Sequence, residues 1–339
     1  MTKRQTKSTG SASGAILRDN HNRAITYLRL SITDRCNLRC RYCRPEAGVP
    51  FVPHQEILSF EELERLTAIF CRLGVDKVRV TGGEPFARKG CLEFLQRLRT
   101  IKGVRNLHIT TNGVDTCQYL EVLAELGIDG INLSLDTLDH RRFRHITRRD
   151  YFEDVVQTLQ SIVEHRIPLK INSVVLADTS DEEIIRLAGL ARYFPIAVRF
   201  IEKMPFSGIS RPSKLVNGHL LQRLRKIFPA MEEQILDFSS TARIFLLPDF
   251  TGTIGIIQGY SRLFCATCNK VRITPAGMLK TCLYDNGALD LKRMLRTGIS
   301  DAGIESAIFN CIQNRCLNGH EAEQLARRGE EPSMASIGG

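Results

Sequence analysis

Short segments in which apolar and polar side chains alternate recur about every thirty residues between residues 25 and 204. A period of two residues is that of a β-strand, because successive side chains point to opposite faces of a sheet. The pattern therefore predicts six strands, at 25–33 (ITYLRLSIT), 77–81 (KVRVT), 107–111 (LHITT), 131–136 (INLSLD), 169–176 (LKINSVVL) and 197–202 (AVRFIE).

Amphipathic helices are predicted between these strands, as in SFEELERLTAIFCRL at 59–73. Ser59 with Glu62, and Ser180 with Glu183, have the spacing of a capping box and mark two helix starts. Strands that alternate with helices form parallel sheets with right-handed crossovers. The chain is therefore predicted to be an α/β protein with a partial (β/α)6 TIM-like barrel, in preference to an open doubly wound sheet.

The pattern changes on both sides of this repeat. Residues 1–14 are basic and rich in Ser, Gly and Thr, which is typical of a disordered tail. Residues 15–235 are predicted to form the barrel and to include a helix at 217–228. From residue 236 to 339, short strands and turns followed by helices predict a C-terminal α+β extension.

The polar faces of the predicted strands indicate a function. Parallel strands covered on both faces are usually apolar throughout, yet here Leu28 and Leu30 alternate with Arg29 and Ser31. If the apolar faces pack against helices, the polar faces line the barrel and form a basic cavity for an anionic ligand. Shifted strands or internally paired polar groups are the alternative. The predicted lining residues are Arg29, Ser31, Thr33, Lys77, Arg79, Thr81, His108, Thr110, Asn112, Asn132, Ser134, Asp136, Lys170 and Asn172.

Composition narrows the choice of partner. Lys and Arg number 47 against 37 Asp and Glu, a net charge of +10 that favours an anionic partner or reflects an ordinary solvated basic surface. No apolar run reaches the roughly 20 residues of a membrane span, and none follows the basic N-terminus as in a secretory signal. A cytoplasmic protein without a membrane partner is expected.

The first cysteine set, Cys36, Cys40 and Cys43, directly follows the first predicted strand. That is the end of a barrel strand where active sites lie. Three thiolates are one short of the four that close a four-iron cluster, so one iron would keep an open coordination position. A zinc site, which normally takes four ligands, and chance clustering are the alternatives.

A second set with three ligands, Cys265, Cys268 and Cys282, lies near the other end of the chain. From spacing alone it fits zinc at least as well as an iron–sulfur cluster, and zinc would recruit Cys311, Cys316 or His320 as a fourth ligand. Three further cysteines lie in largely apolar segments and are predicted to be small core residues, namely Cys71, Cys91 and Cys117.

Several motifs resemble those of known families. TDRCNLRCRYCRP, with TGGEP after the second strand, resembles the radical S-adenosylmethionine superfamily. FCATCNKVR, together with YLRLSITDRC, TTNG, NLSLDTL, HITRRD, KINSVV, RFIEKMP and a terminal Gly-Gly, resembles the GTP 3′,8-cyclases of molybdenum cofactor biosynthesis from about residue 20 onwards. The resemblance implies two [4Fe-4S] clusters, one held by each cysteine set, and S-adenosyl-L-methionine as cofactor.

The resemblance also assigns roles to single residues. It implies that S-adenosylmethionine contacts Tyr42, Gly83, Ser134 and Met204. It implies that GTP contacts Arg29, Arg79, Thr110, Lys170, Lys270, Val271 and Arg272, with Arg199 an additional candidate. This chain has Lys270 where the family commonly has Arg, so the bidentate fork is lost although the charge is kept. The terminal Gly338 and Gly339 are implied to insert toward the active site and to assist catalysis.

The implied activity is cyclisation of GTP to (8S)-3′,8-cyclo-7,8-dihydroguanosine 5′-triphosphate. The implied partners are an electron donor such as flavodoxin or ferredoxin and a separate cyclic pyranopterin monophosphate synthase that takes the product. A homodimer is left open, and no nucleic acid is expected. The alternatives are a radical S-adenosylmethionine peptide-modifying enzyme with an auxiliary cluster, and a zinc-knuckle nucleic-acid binder. The second alternative is weakened by the absence of Trp and an aromatic content of 7%.

Overall fold

The computed structural model describes residues 16–46, 48, 50–204, 219–235, 240–259, 262, 265–326 and 337. The strands are β1 Tyr27–Ser31, β2 Lys77–Thr81, β3 Asn106–Thr111, β4 Gly130–Ser134, β5 Leu169–Val175, β6 Ala197–Glu202, β7 Glu232–Gln234, β8 Arg243–Leu246, β9 Thr253–Ile257, β10 Lys270–Ile273, β11 Met278–Lys280 and β12 Leu289–Asp290. The α-helices are α1 Phe60–Arg72, α2 Cys91–Thr100, α3 Leu120–Glu125, α4 His140–Thr147, α5 Phe152–Glu164, α6 Asp181–Tyr193, α7 Leu220–Ile227, α8 Leu291–Arg296, α9 Asp301–Gln313 and α10 Gly319–Ala326.

The six predicted strands are confirmed and lie side by side in chain order, each parallel to the next. Their apolar faces pack against the surrounding helices, and Leu28, Leu30 and Val78 are completely buried. The fold is therefore α/β with a partial TIM-like sheet, as the alternation of strands and helices predicts.

The C-terminal segment extends this sheet at both edges. Strand β10 pairs in parallel with β1, and β9 pairs in parallel with β6. Beyond them the order is β11 and β12 on one side, and β8 and β7 on the other, all antiparallel. Strands of the predicted extension thus belong to the same sheet as the barrel. The sequence did not indicate this, because β9 and β10 are only five and four residues long and pair with strands that are distant in sequence.

Two predicted helix starts are confirmed in detail. The side chains of Ser59 and Ser180 each accept from the backbone of the third helical residue, and Glu62 and Glu183 accept in return from the backbone of the capping serine. Each capping box provides hydrogen-bond acceptors for backbone N–H groups that have no acceptor within the helix. The helix expected at 217–228 is described as α7 Leu220–Ile227.

Other expectations fall outside the described residues or stay predictions. The predicted disordered tail at 1–14 lies outside the residues that the structure describes. The division at residue 235 stays a prediction. Of the three cysteines expected in the core, Cys91 is buried, while Cys71 and Cys117 are half-buried. Within the described residues, no helix has both the length and the apolar character needed to cross a bilayer.

A chain truncated after residue 235 is expected to lose cooperative folding, because removal of β10 and β9 exposes the backbone of β1 and β6 at both edges of the barrel sheet. Urea denaturation followed by circular dichroism, with light scattering for aggregation, measures this. A chain that lacks only residues 338–339 is the control and should unfold like the full chain. Cooperative unfolding of a monomeric truncated chain would show instead that 15–235 is an independent domain.

Candidate active site

A cavity of about 850 Å³ occupies the interior of the partial barrel. The predicted polar lining is confirmed for most positions, although Ser31, Thr33 and His108 do not contribute to it and are buried elsewhere. Both cysteine sets open into the same cavity. The residues with implied roles that line it are Arg29, Cys36, Cys40, Tyr42, Cys43, Arg79, Gly83, Thr110, Ser134, Lys170, Met204, Cys265, Cys268, Lys270, Arg272 and Cys282.

Positive charge dominates the walls of this cavity. Seven basic side chains from the strands face it, namely Arg29, Lys77, Arg79, Lys170, Arg199, Lys270 and Arg272, whereas Asp136 and Glu202 are its carboxylates. Burial lowers the pKa of Arg29 to about 9, and burial with repulsion from neighbouring arginines lowers the pKa of Lys170 to about 8 and of Arg199 to about 10. Placing these positive charges close together lowers the stability of the folded protein unless a bound anion compensates them.

Several donors in the cavity are left without an acceptor. The Nε atoms of Arg29 and Arg199 and the Nη1 atom of Arg272 are buried and have no hydrogen-bond partner within the described part of the chain. Buried N–H groups are nearly always paired in folded proteins, because an unpaired one costs about 1–3 kcal/mol. Donors of this kind, surrounded by other cations, fit the oxygens of a polyanionic ligand.

Tyr27 is a cavity residue that the sequence reasoning missed. Its phenol oxygen accepts from Arg79 Nε at 2.5 Å, and the ammonium groups of Lys77 and Lys270 lie 5.2 and 5.6 Å from its ring centroid. Burial by itself would raise the pKa of Tyr27, but the charges of Arg79 and Arg29 outweigh it and lower the pKa to about 7. The alternation of β1 places Tyr27 on the same face as Arg29, so this signal was present in the sequence.

The first cysteine loop is held from two sides by backbone hydrogen bonds. Gly83 N donates to Thr33 O at 2.7 Å, and Glu84 N donates to Arg35 O at 2.8 Å. A Cβ atom on Gly83 would collide with the Arg35 carbonyl, so glycine is required here for close approach. On the other side, the amides at positions 39 and 41 donate to carbonyls at the end of α4. The GGEP segment therefore supports the loop that carries Cys36, Cys40 and Cys43.

The first cysteine set fits an iron–sulfur cluster by its donor chemistry. Burial raises the pKa of Cys36 to about 11, with Glu84 adding to the effect, and burial also raises the pKa of Cys40. A metal centre binds cysteine as the thiolate, so assembly of a cluster at this site would release these protons. In the described residues, no three His, Cys, Asp or Glu side chains are grouped so as to hold one metal ion. A four-iron cluster takes its thiolates at separate corners and does not need such convergence.

Two residues beside this loop are linked to each other. Tyr42 donates its hydroxyl hydrogen to Asp136 Oδ2 at 2.8 Å, and the backbone of Val174 donates to the other carboxylate oxygen at 2.8 Å. Burial raises the pKa of Asp136 to about 6, although these two donors lower it in part. The ring of Tyr42 is thereby fixed at the cavity wall.

The second cysteine set is held by a buried triad of charged residues, Asp19, Arg23 and Arg315. The carboxylate of Asp19 accepts from Arg23 Nε at 2.6 Å and from Arg315 Nη1 at 3.3 Å. Arg23 donates to the Cys265 carbonyl, and Arg315 donates to the carbonyls of Cys268 and Thr281. We call these three residues the clamp. It fixes the backbone of the segments that carry all three cysteines.

Arg315 also contacts a predicted ligand atom directly. Its Nη2 atom donates to Cys268 Sγ at 3.2 Å. Burial would raise the pKa of Cys268, but the charges of Arg315 and Lys270 outweigh it and lower the pKa, whereas burial raises the pKa of Cys282 to about 11. Of the fourth ligands considered for zinc, Cys316 lines the cavity, and Cys311 and His320 do not.

Two of the roles that the family resemblance implies belong to residues that do not line the described part of the cavity. The Val271 side chain lies in the hydrophobic core, because it points away from its neighbours Lys270 and Arg272 on β10. Contact of Val271 with a ligand would have to come from its backbone. Gly338 and Gly339 lie outside the described residues, but Ile337, which precedes them, is buried in a cluster with Tyr284 that Met204 and Cys282 adjoin.

Family comparisons define the class of protein. Residues 30–191 match the model of the radical S-adenosylmethionine superfamily, and residues 196–321 match the model called Molybdenum Cofactor Synthesis C. The crystal structure of Streptococcus suis SuiB bound to S-adenosylmethionine superposes with a TM-score of 0.59 at 18% identity, covering 84% of this chain and 69% of that chain. At that identity the likeness shows the fold alone.

Curated relatives define the family within that class. The GTP 3′,8-cyclase of Heliobacterium modesticaldum is 38% identical over 331 residues, covering 95% of this chain and 99% of the relative. Molybdenum cofactor biosynthesis protein 1 of Bos taurus is 40% identical over 290 residues, which are 85% of this chain and 46% of the relative. The chain thus spans less than half the length of the mammalian relatives that it matches. The chain belongs to the GTP 3′,8-cyclase family.

Gly83→Ala is expected to displace the first cysteine loop, because the added methyl group collides with the Arg35 carbonyl. We expect a loss of about 1–3 kcal/mol in the free energy of unfolding of the apo protein, together with loss of iron from the first site after anaerobic reconstitution. Gly189→Ala in α6 is the control, since a Cβ there meets nothing within 4 Å, and it should gain about 0.5–1 kcal/mol. Unchanged stability and iron content in Gly83→Ala would contradict the support assigned to this glycine.

Proposed function

We propose that this protein catalyses the radical S-adenosylmethionine-dependent cyclisation of GTP to (8S)-3′,8-cyclo-7,8-dihydroguanosine 5′-triphosphate, the first step of molybdenum cofactor biosynthesis. Membership of the GTP 3′,8-cyclase family supports it. The observation that carries it is that seven buried or half-buried basic side chains and two sets of three cysteines line one cavity. A nucleoside triphosphate is the substrate that such a charge array fits.

The basic residues of the strands would bind the triphosphate. Arg29, Arg79 and Lys170 project into the cavity from β1, β2 and β5, so they surround a phosphate chain from different sides. Charge-assisted hydrogen bonds from Arg29 Nε, Arg199 Nε and Arg272 Nη1 would satisfy donors that now lack acceptors. Lys270 adds charge without a bidentate fork, so it would set the position of the substrate less strictly than Arg would.

The residues around the first cysteine set would hold S-adenosylmethionine. When bound together, the first cluster and S-adenosylmethionine supply one-electron reductive cleavage and a radical that abstracts hydrogen. Gly83 gives access to backbone close to the cysteine loop, and Ser134 and Met204 line the adjoining wall. Tyr42, fixed by Asp136, closes the side of the cavity next to Cys43. These residues would orient the cofactor toward the ribose and limit the access of water.

The residues around the second cysteine set would hold the guanine base and a second [4Fe-4S] cluster. Cys265, Cys268 and Cys282 are three ligands, which leaves one iron open for the substrate. Their backbone is fixed by the clamp of Asp19, Arg23 and Arg315, so the base could be held rigidly while C3′ and C8 meet. Ile337 beside Met204 and Cys282 supports entry of the Gly338-Gly339 end into the same cavity.

The remaining expectations accompany this function as predictions. They comprise a one-electron donor such as flavodoxin or ferredoxin, transfer of the product to a separate cyclic pyranopterin monophosphate synthase and a cytoplasmic location, with a homodimer left open. The division into a barrel at 15–235 and a C-terminal region at 236–339 also stays a prediction. The peptide-modifying alternative calls for a groove and has no use for a cavity surrounded by basic groups.

The decisive assay combines the reconstituted protein, S-adenosylmethionine, sodium dithionite and GTP without oxygen. We expect 5′-deoxyadenosine and a cyclised nucleotide to form together, as measured by liquid chromatography with mass spectrometry. Cys265→Ser should slow GTP consumption by about a hundredfold, because the base loses its fixed position, while some 5′-deoxyadenosine still forms. Cys311→Ser, at a thiol that does not line the cavity, is the control.

Three outcomes would contradict the proposal. Formation of 5′-deoxyadenosine without GTP consumption would favour the peptide-modifying alternative. Stoichiometric zinc without iron would favour the zinc-knuckle alternative. Equal loss of both products in Cys265→Ser would show that the two cysteine sets do not have separate roles.

GTP affinity is expected to fall as the pH rises from 7 to 9. The pKa of Lys170 is about 8 and that of Tyr27 about 7, so rising pH removes a positive charge and adds a negative one beside the phosphates. The Kd, measured by equilibrium dialysis, should rise by about three- to tenfold across this range. Lys170→Met with Tyr27→Phe should flatten the dependence, and Lys102→Met, at an exposed position outside the cavity, should leave it unchanged. A flat profile in the unmodified protein would contradict the binding role of these groups.

A further inference from the structure

Helix α4 and the neighbouring cysteine loop form a basic surface outside the active-site cavity. A shallow depression there is lined by Arg41, Arg141, Arg144, His145 and Arg148, with Glu46 as its acidic residue. We call these five basic residues the α4 basic face. Arg141 and Arg144 are exposed, so their charged groups are accessible to a partner.

Neighbouring carboxylates do not cancel this charge. Asp178 accepts from Arg41 Nη2 at 2.6 Å and from Arg142 Nη1 at 2.9 Å. Asp150 bonds to His140 at 2.5 Å and lies 3.9 Å from Arg144 Nη1. Exposed ion pairs of this kind are weak and screened, and the basic side chains outnumber the carboxylates. Four arginines, Arg41, Arg141, Arg144 and Arg148, stand against the carboxylates of Glu46, Asp150 and Asp178, so a net positive charge remains on this surface.

The opposite side of the same helix lines the active-site cavity. Phe143, Ile146 and Thr147 face the cavity that Cys40 and Cys43 also line. The backbone amides of residues 39 and 41 donate to Thr147 O and Ile146 O, both at 2.9 Å. The first cysteine loop is thus attached to the end of α4. About one helix diameter, roughly 10–12 Å, separates the exposed arginines of α4 from the thiols, whereas Arg41 lies in the cysteine loop itself.

We propose that the α4 basic face is the docking site for an acidic one-electron carrier protein that reduces the first iron–sulfur cluster. The inference rests on the proposed function, in which each reductive cleavage of S-adenosylmethionine consumes one electron. The reduced carrier donates that electron, is thereby oxidised by one electron, and dissociates. A cluster held by Cys36, Cys40 and Cys43 would supply this electron to S-adenosylmethionine, whose carbon–sulfur bond would break to give methionine and a 5′-deoxyadenosyl radical.

Position distinguishes this face from the substrate site. In the proposed function, the strand residues inside the barrel bind the nucleotide phosphates. Helix α4 lies between those residues and the α4 basic face. Charge complementarity accelerates the encounter of proteins and orients the partner. An acidic carrier drawn to α4 would arrive with its redox group on the side nearest Cys40 and Cys43.

The test compares two reductants in one variant. Arg141→Glu with Arg144→Glu reverses two exposed charges and leaves the cavity residues intact. Reduced flavodoxin, an acidic carrier, and sodium dithionite, a small reductant, each drive GTP turnover. With flavodoxin at low ionic strength, the half-saturating carrier concentration should rise about tenfold or more. With dithionite, turnover and the KM for GTP should stay within about twofold, because no docking is involved.

A matched charge change at the other end of the barrel is the control. Lys102→Glu with Arg105→Glu alters the net charge equally, at exposed residues that precede β3. It should retain the flavodoxin dependence of the unmodified protein. Added salt should weaken flavodoxin-driven turnover of the unmodified protein toward that of the α4 variant, as screening requires.

Each contrary result has a distinct meaning. Equal loss with both reductants would overturn the docking role and assign the face to the active-site structure. An increased KM for GTP with dithionite would overturn it in favour of nucleotide steering. No change with either reductant would show an ordinary solvated surface. Failure of the unmodified protein to convert GTP with dithionite would overturn the proposed function, whereas an equal Kd for flavodoxin in the unmodified protein and in the α4 variant, measured by isothermal titration calorimetry, would overturn the docking site.

Discussion

Seven lysine and arginine side chains face one another across the barrel cavity, where burial and neighbouring positive charge lower the pKa of Lys170 and Arg199. An array of this kind opposes folding, so other parts of the protein have to stabilise it. The same strands do so through their opposite faces, on which Leu28 and Leu30 are completely buried against helices. Because a polyanion relieves the repulsion, the folded state gains stability whenever the cavity is filled.

The two cysteine sets are held in place by different physical means. The first depends on close backbone approach, in which Gly83 leaves room for the Arg35 carbonyl beside the cysteine loop. The second depends on charged side chains, since Arg23 and Arg315 bind carbonyl oxygens of the segments that carry Cys265 and Cys268. Steric fit tolerates changes of charge but not of volume. A guanidinium clamp depends on charge and on the planar arrangement of its donors, and loss of Arg23 or Arg315 leaves carbonyl oxygens unpaired. Substitutions will therefore damage the two sites in different ways.

Local patterns predicted what depends on local sequence. The alternation of Leu28, Arg29 and Leu30 indicated both the strands and the basic cavity, because a period of two separates two faces wherever a strand forms. The edge positions of β9 and β10 were missed, since pairing between distant segments leaves no periodic signal. Asp19 and Arg315 were missed for the same reason: they meet only in the folded chain and belong to no motif. The cavity position of Tyr27 could have been predicted, because it lies two residues before Arg29 on the same strand and therefore on the same face.

The clamp joins segments that are far apart along the chain, and this has a consequence for biosynthesis. Arg23 leaves the ribosome 242 residues before Cys265, the residue whose carbonyl it binds. Strand β1 likewise cannot pair with β10 until residues 270–273 have been synthesised, so its backbone groups on that edge remain unpaired during most of the translation of this chain. The first cysteine loop can be completed on a partial chain, because its supports lie before residue 150. The segment of Cys268 gains its support only after Arg315 has been synthesised, so the second cysteine set is fixed later in translation than the first.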